Sequence, residues 1–332
     1  MVYNYSLKTQ SVSDAFENIL EYTDVVDYKY HHCSPVLEII AYANSAELNF
    51  KTHESSMGEF DNYFIFDCPG EDALGHWIFE SFIFFPIFMK LKQKYDNIKI
   101  ITKNTKKYVR IVFNLFGITC DILHNIPTDS YFQHNIGNVG TKNATLDSEC
   151  VNKRNRCFFP PVLSLNDNEL NQDMFLHFID NYRNYIIENI LTTFKQQNNL
   201  LFLPRNSVDN YANNDRRIPF TAEIKDYVIN NGGVVLNSYE INNLFIQFHT
   251  VYNSDIIILD YGSSYWFNCI FLNNKTIILL SDDVIYFQTN NIISCRILFD
   301  IISKNNNVII VHTGRPDLMQ KIQHVIESHN EV

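Results

Sequence analysis

From about residue 60 onward the sequence alternates between two rhythms, and no other feature constrains its fold as much. Short, largely apolar runs recur: DNYFIFD (61–67), IKIIT (98–102), CDIL (120–123), LLFLP (200–204), GVVLN (233–237), DIIIL (255–259), TIILLS (276–281) and VIIVH (308–312). Between them lie stretches with helical spacing: 75–93, 108–117 with Gly117 as its stop, around 222–230 and 241–249, near Tyr265, and from Asp317 onward. Apolar runs of this length read as strands buried on both faces, and strands separated by helices pair in parallel. VLEIIAYA (36–43) reads as an added strand, and 125–165, with NIGNVG and CFFPPV, as irregular. Phe175, Ile179, Tyr182, Ile186, Ile190 and Phe194 form one apolar stripe of a long helix, with Asn166 and Glu169 spaced as at a helix start. The expected fold is α/β: two Rossmann-like doubly wound domains facing a cleft. Residues 1–165 form the first, and 166–332 the second, opened by the long helix.

Composition narrows the function classes. The chain has 332 residues, 46% hydrophobic, enough for a large core, and a net charge of -11. That balance disfavours broad electrostatic binding to nucleic acid or an anionic membrane, though a local basic patch can still hold a phosphate. The opening MVYNYSLKTQ lacks the basic and apolar regions of a secretory signal. The longest oily segment, 77–89, contains Glu80 and Pro86 and is shorter than the roughly 20 residues that span a bilayer. Seven scattered cysteines, with no C-x-x-C, read as ordinary thiols of a reducing compartment. The expected location is the cytoplasm. Abundant Asn, Ile, Tyr and Phe beside scarce Ala point to an AT-rich genome such as a large DNA virus, in which case it is the host cytoplasm.

The P-loop, G-x-G-x-x-G, H-E-x-x-H and G-x-S-x-G signatures are absent. Three stretches carry candidate chemistry instead. In ALGHWIFESF (73–82), His76 and Glu80 share one helix face, as a general base with its orienting partner or as a satisfied histidine at a helix start. In LFLPRNSVDNYANNDRRIPF (201–220), Arg205 follows a strand, and Arg216 and Arg217 return before the next helix; they suit phosphate or serve as surface charge. In DIIILDYGSSYWFNCIF (255–271) a strand ends at Asp260, and Gly262, Ser263 and Ser264 lead into a helix. Such a turn offers backbone N–H groups to a diphosphate, while Asp260 holds a ribose hydroxyl or caps the turn. Asp167, Asn168 and Glu169 read as helix capping and not as a metal site.

Taken in order, these stretches resemble glycosyltransferase family 61. The likeness is carried by His76-Trp77-Ile78-Phe79-Glu80, by the strand ending in Arg205, by Arg217-Ile218, and by the YGSS turn with Asn268-Cys269-Ile270-Phe271. It covers roughly residues 62–282. Tyr261 stands where the family has a His, and the stretch from Gly262 to Asn268 is one residue longer than usual. The resemblance implies a GT-B fold, an inverting and metal-independent transfer of sugar from a nucleotide-diphosphate sugar to a glycan hydroxyl, and no bound cofactor, with a UDP-sugar the first expectation. It implies His76 as base, Glu80 as its partner and Asp260 as reserve base. It gives the donor to Arg205, Arg216, Arg217, Tyr261, Gly262, Ser263, Ser264 and Asn268. The Tyr261 change leaves open an inactive relative that binds nucleotide or glycan beside an active enzyme. A hydrolase or epimerase using the same donor is a third option.

Overall fold

The structure is a computed structural model describing residues 2–6, 19–23, 25–31, 36–41, 60–68, 74–127, 155–161, 171–191, 198–204, 220–237, 243–281 and 292–330. It is a mixed α/β protein with parallel sheets. The chain divides into two compact units: 1–106 with 119–178, and 107–118 with 179–332.

The first unit contains two sheets. Strands β1 (Val2–Ser6), β3 (Val25–Tyr30) and β4 (Val36–Ala41) form an antiparallel sheet in the order β1-β4-β3. The second sheet has the order β2-β8-β5-β6-β7, from β2 (Leu20–Thr23), β5 (Asp61–Ile65), β6 (Lys99–Ile101), β7 (Ile122–Leu123) and β8 (Asn155–Phe159). In it β8, β5, β6 and β7 run parallel, and β2 pairs antiparallel at the edge. The 125–165 stretch is therefore not irregular throughout, since β8 lies within it. Its apolar core, CFF, is too short to be read locally, and its pairing with β5 comes from far along the chain.

Strand alternation sends Tyr63, Ile65 and Ile101 to one face, where they pack with Tyr28, Leu37 and Ile39 of the antiparallel sheet. The opposite face carries Phe64 and Phe66 against Phe82 and Phe88 of helix α1 (Leu74–Lys94), at ring distances of 5.6–5.9 Å. This corrects the doubly wound expectation for the first block: a sheet, not helices, covers one face. Helix α1 is 21 residues long and apolar enough to cross a membrane by length and composition. Yet residues 77–85 are all buried within the unit, with Phe84 packed on Phe178 at 4.7 Å. A helix apolar all round is what such a position requires.

The second unit contains α2 (Lys107–Leu115), most of α3 (Gln172–Tyr185, continued as a π-helix over Ile186–Ile190) and a parallel sheet. Helix α3 is capped by Asn171, whose Oδ1 accepts from Met174 N at 3.0 Å; the Asn166–Glu169 start lies outside the described residues. The sheet has the order β10-β9-β11-β12-β13: β9 (Asn198–Leu203), β10 (Val234–Val235), β11 (Ser254–Asp260), β12 (Thr276–Ser281) and β13 (Asn307–His312). Leu200, Phe202, Ile256, Ile258, Ile278 and Leu280 pack against α4 (Thr221–Asn230) and α8 (Leu318–Asn330). The alternate, equally buried residues Leu201, Ile257, Leu259, Ile277 and Leu279 face the layer of α5 (Leu244–Tyr252), α6 (Ser263–Cys269) and α7 (Ile293–Asn305). Helices therefore cover both faces of this sheet. At the α4–β10 turn a side chain on Gly233 would meet Val228 Cγ1 at 2.7 Å and Leu200 O at 2.8 Å, so only glycine fits.

One buried carboxylate ties the first unit together. Asp67, just past β5, accepts from Tyr28 Oη of the antiparallel sheet, from Thr102 Oγ1 at 2.9 Å and from Lys103 N at 2.8 Å. Asp67→Ala strands three donors, two of them buried, and is expected to cost on the order of 3 kcal/mol by urea unfolding. Burial raises the Asp67 pKa despite these bonds. The folded chain then holds this proton more tightly than the unfolded one. Its contribution to stability therefore falls as pH rises from the ordinary aspartate range through the folded value. Wild type should gain on Asp67→Asn at pH 4 relative to pH 7; the reverse order in paired urea titrations would overturn this account.

Candidate functional site

In each unit the strand order reverses once, and ligands of such sheets bind beyond the carboxyl ends of the strands at that point. In the first unit the reversal lies between β5 and β8, because the next strand in sequence after β5, β6, pairs on one side and β8 on the other. Helix α1 begins just after this end of β5. Trp77 Nε1 donates to Phe66 O at 3.0 Å and fixes the helix start to the strand end.

The helix is irregular at the motif. It turns from α at Leu74–His76 to π over Trp77–Ser81, then to 3₁₀ over Phe82–Phe84, and resumes as α from Phe85. Pro86, at the start of the last segment, has no N–H to donate, and its ring crowds the carbonyl four residues back, so a regular helix cannot run through it. Such π segments cluster at functional sites. His76 Nδ1 lies 2.8 Å from Glu80 Oε1; the Glu80 side chain is 2% exposed and that of His76 32%. Donation from Nδ1–H to the carboxylate leaves the Nε2 lone pair as the basic position. The hydrogen bond to Glu80 raises the His76 pKa, with burial working against it.

In the second unit the reversal lies between β9 and β11. Leu203 pairs with Leu259, so the chain leaves β9 through Pro204 beside Asp260. Arg205 is the next residue; it, Arg216 and Arg217 lie outside the described residues. Asp260 is buried, at 6% exposure. Gly262 follows with φ 135° and ψ −160°, a backbone that side chains resist, and so needs glycine. Ser263 opens α6, and Tyr265 N donates to Gly262 O at 3.0 Å. Tyr261 is 7% exposed and packs on Trp266 at 5.2 Å. Asn268 is wholly buried and bonds Ser264 and Gln247, so it supports the turn from behind.

Sequence reasoning passed over Asp67, Thr102, Lys103 and Gln247. An aspartate closing an apolar strand before a turn was a signal at Asp67, the same as at Asp260. Gln247 carried none, because its partner is on another helix. Among the described residues no group of three His, Cys, Asp or Glu side chains is arranged to hold a metal ion. Burial raises the thiol pKa of Cys120 to about 11, and those of Cys157 and Cys269 further, which leaves them unreactive. Compared with known proteins, the sequence matches no protein-family model and no curated sequence.

The His76–Glu80 pair is testable without substrate. The His76 ring should titrate above the ordinary histidine value by NMR, and Glu80→Gln should lower its midpoint. The pair's contribution to stability is full below the unfolded histidine pKa and fades as pH rises through the folded one. An unchanged midpoint in Glu80→Gln would remove Glu80 as the cause.

Proposed function

We propose that the chain is a glycosyltransferase of GT-B type, its second unit doubly wound and its first a Rossmann-order parallel sheet with a second sheet on one face, moving a sugar from a nucleotide-diphosphate sugar to a glycan hydroxyl. One observation carries the reading: at the β9/β11 reversal, the strand leading into Arg205 ends beside the Asp260–Ser264 turn. That is where open parallel sheets take nucleotides. The strand orders lend support. Strands β7-β6-β5-β8 follow the 3-2-1-4 half of a Rossmann sheet, and β10-β9-β11-β12-β13 the flavodoxin-like 2-1-3-4-5 order.

In this reading the second unit holds the donor. Arg205, Arg216 and Arg217 bind the diphosphate as planar forks, and the backbone of Gly262, Ser263 and Ser264 adds donors. The first unit takes the acceptor. His76 Nε2 removes the proton from the acceptor hydroxyl as its oxygen attacks the anomeric carbon opposite the leaving diphosphate, which inverts that centre. Glu80 holds Nδ1–H and stabilises the imidazolium formed. The arginines stabilise the charge growing on the diphosphate, with no metal or cofactor in the scheme. Asp260 is the reserve base. The proposed setting is the cytoplasm.

The burial of Tyr261 against Trp266 favours one alternative. With a buried tyrosine where the resembled family has a His, the chain is a nucleotide- or glycan-binding partner that has lost turnover.

A thermal-shift screen of nucleotide sugars, followed by transfer assays on glycan acceptors, separates the two. A donor at 100 times its Kd adds about 2.7 kcal/mol of stability. Folded Arg205→Ala and Arg217→Ala variants should each lose on the order of 100-fold in turnover. His76→Ala should abolish the acid limb of the pH–rate profile. Full transfer by both arginine variants would end the donor-site assignment, and binding without turnover would select the alternative.

A further inference from the structure

Strand β13 forms one edge of the second unit's sheet, and the direction of its hydrogen bonds follows residue by residue. Asn307 N donates to Lys275 O at 2.9 Å and Thr313 N to Ser281 O at 2.8 Å, and the pairing with β12 runs between them without a shift of register. Along a strand, successive residues turn their backbone groups to opposite sides, so Asn307, Ile309 and Val311 bond inward to β12. Val308 and Ile310 therefore point their N–H and C=O groups away from the sheet. Among the described residues no strand lies beyond them.

Such an edge is a template for another strand, and proteins blunt it by shortening the strand or by placing charge, proline or a bulge on it. The opposite edge of the same sheet follows that rule, because β10 has only two residues. Strand β13 does not. It is six residues long, NVIIVH, with no acidic residue, Lys, Arg or Pro, and Val308, Ile309 and Ile310 are only half-buried. Beside it an open groove of about 400 Å³ lies between Ile309–Val311 and Asp317, Lys321 and His324 of the α8 side. The charge on that wall is balanced, since Lys321 Nζ lies 3.2 Å from Asp317 Oδ2. In a chain of net charge -11, a strand and groove so poor in net charge form a surface on which two copies can meet without repulsion.

We propose that β13 is the seam of a homodimer, pairing antiparallel with β13 of a second copy across a two-fold axis. The outward groups set the register. Val308 of each copy exchanges hydrogen bonds with Ile310 of the other, and Ile309 faces its own counterpart at the axis. Only apolar side chains then meet at the centre of the seam. The same axis runs the two copies of α8 antiparallel, so the Asp317 end of each lies toward the His324 end of the other and acid does not oppose acid. Head-to-tail pairing of β13 with β10 would build a filament, but β10 is too short to accept it, and association closes at two copies. Strand β13 lies two strands beyond β11, so the seam stands whether or not the β9/β11 reversal takes a nucleotide.

The test is sedimentation velocity of the full chain over a range of concentrations. Wild type should dimerise. Val308→Lys, which places a charge on the edge, and Ile310→Pro, which removes only an outward N–H, should each weaken the dimer about tenfold or more. Ile309→Cys reads the register. Opposed residues of a non-hydrogen-bonded antiparallel pair have Cα atoms about 4.5 Å apart, within reach of a disulfide. Oxidised glutathione should therefore trap this variant as a covalent dimer and leave wild type uncrosslinked. A wild type that stays monomeric throughout overturns the seam, and so does a dimer that neither edge variant weakens. A monomer whose Val308 and Ile310 amides resist hydrogen exchange would show that another part of the chain covers the edge, which also overturns it. A dimer without the Ile309→Cys cross-link overturns the register. Should Ile310→Pro not fold by circular dichroism, Val308→Lys and the cross-link still decide.

Discussion

The structure depends on the two-sided burial that parallel pairing enforces. A parallel strand is reached only by a crossover, and the crossover lies on a face of the sheet. Strand β12 is buried along its whole length, and β11 nearly so. Charged and polar groups have little place along such strands, because unpaired polarity inside is costly and an unpaired charge costs several kcal/mol. They collect where strands end. Asp67 and Thr102–Lys103 do so in the first unit, and Asp260 and Ser281 in the second. The chemistry of the chain was confined to these edges before any residue was chosen for it.

The two aspartates show how one position serves different ends. Asp67 is drawn into the architecture: its oxygens receive the tyrosine of one sheet and the β6 end of the other, so two sheets share one anchor. Lys103 adds its ammonium to Tyr28 O at 2.5 Å and lies 4.0 Å from the centre of the Tyr28 ring. Asp260 has a different setting. The turn after it must pass through Gly262 in a conformation closed to other residues, and a two-turn helix then starts. Strain of that kind persists when the turn is needed as it stands.

Most of the second unit was legible in the sequence because its strands are long and apolar throughout. TIILLS matches β12 from end to end, and DIIIL lies within β11. The helix near 241–249 was read early; Asn243, whose Oδ1 accepts from Phe245 N and Ile246 N, starts it at Leu244. Helix α7 went unread because its buried positions, Ser294, Ile297, Leu298 and Ile302, include a serine, and Arg296 interrupts the run. The antiparallel sheet over the first unit was missed as an architecture, although VLEIIAYA was read as a strand. Covering a face is a long-range property that no local pattern reports. The site was legible where the chain itself brings groups together, as at His76 and Glu80. It was illegible where packing does so, as between Gln247 and Asn268, 21 positions apart.

A brace and a base would share the His76–Glu80 spacing, so spacing cannot separate them; burial can. A bracing ion pair on a helix surface leaves both groups in water, where it contributes less than about 1 kcal/mol. Here the order is inverted. The carboxylate is the inner group and the imidazole the outer one, at 2% and 32% exposure. Burying Glu80 costs desolvation that a surface lysine partner would not demand. The carboxylate meets that cost in part through Nδ1–H, and in doing so fixes the ring and its tautomer. Through the π turn Trp77, Phe79, Glu80 and Phe82 are all buried, while His76, one residue before it, stays half-exposed. A buried carboxylate holding a half-exposed imidazole by Nδ1 is the geometry that the proposed role of His76 as proton acceptor requires, and one that a surface brace would not need.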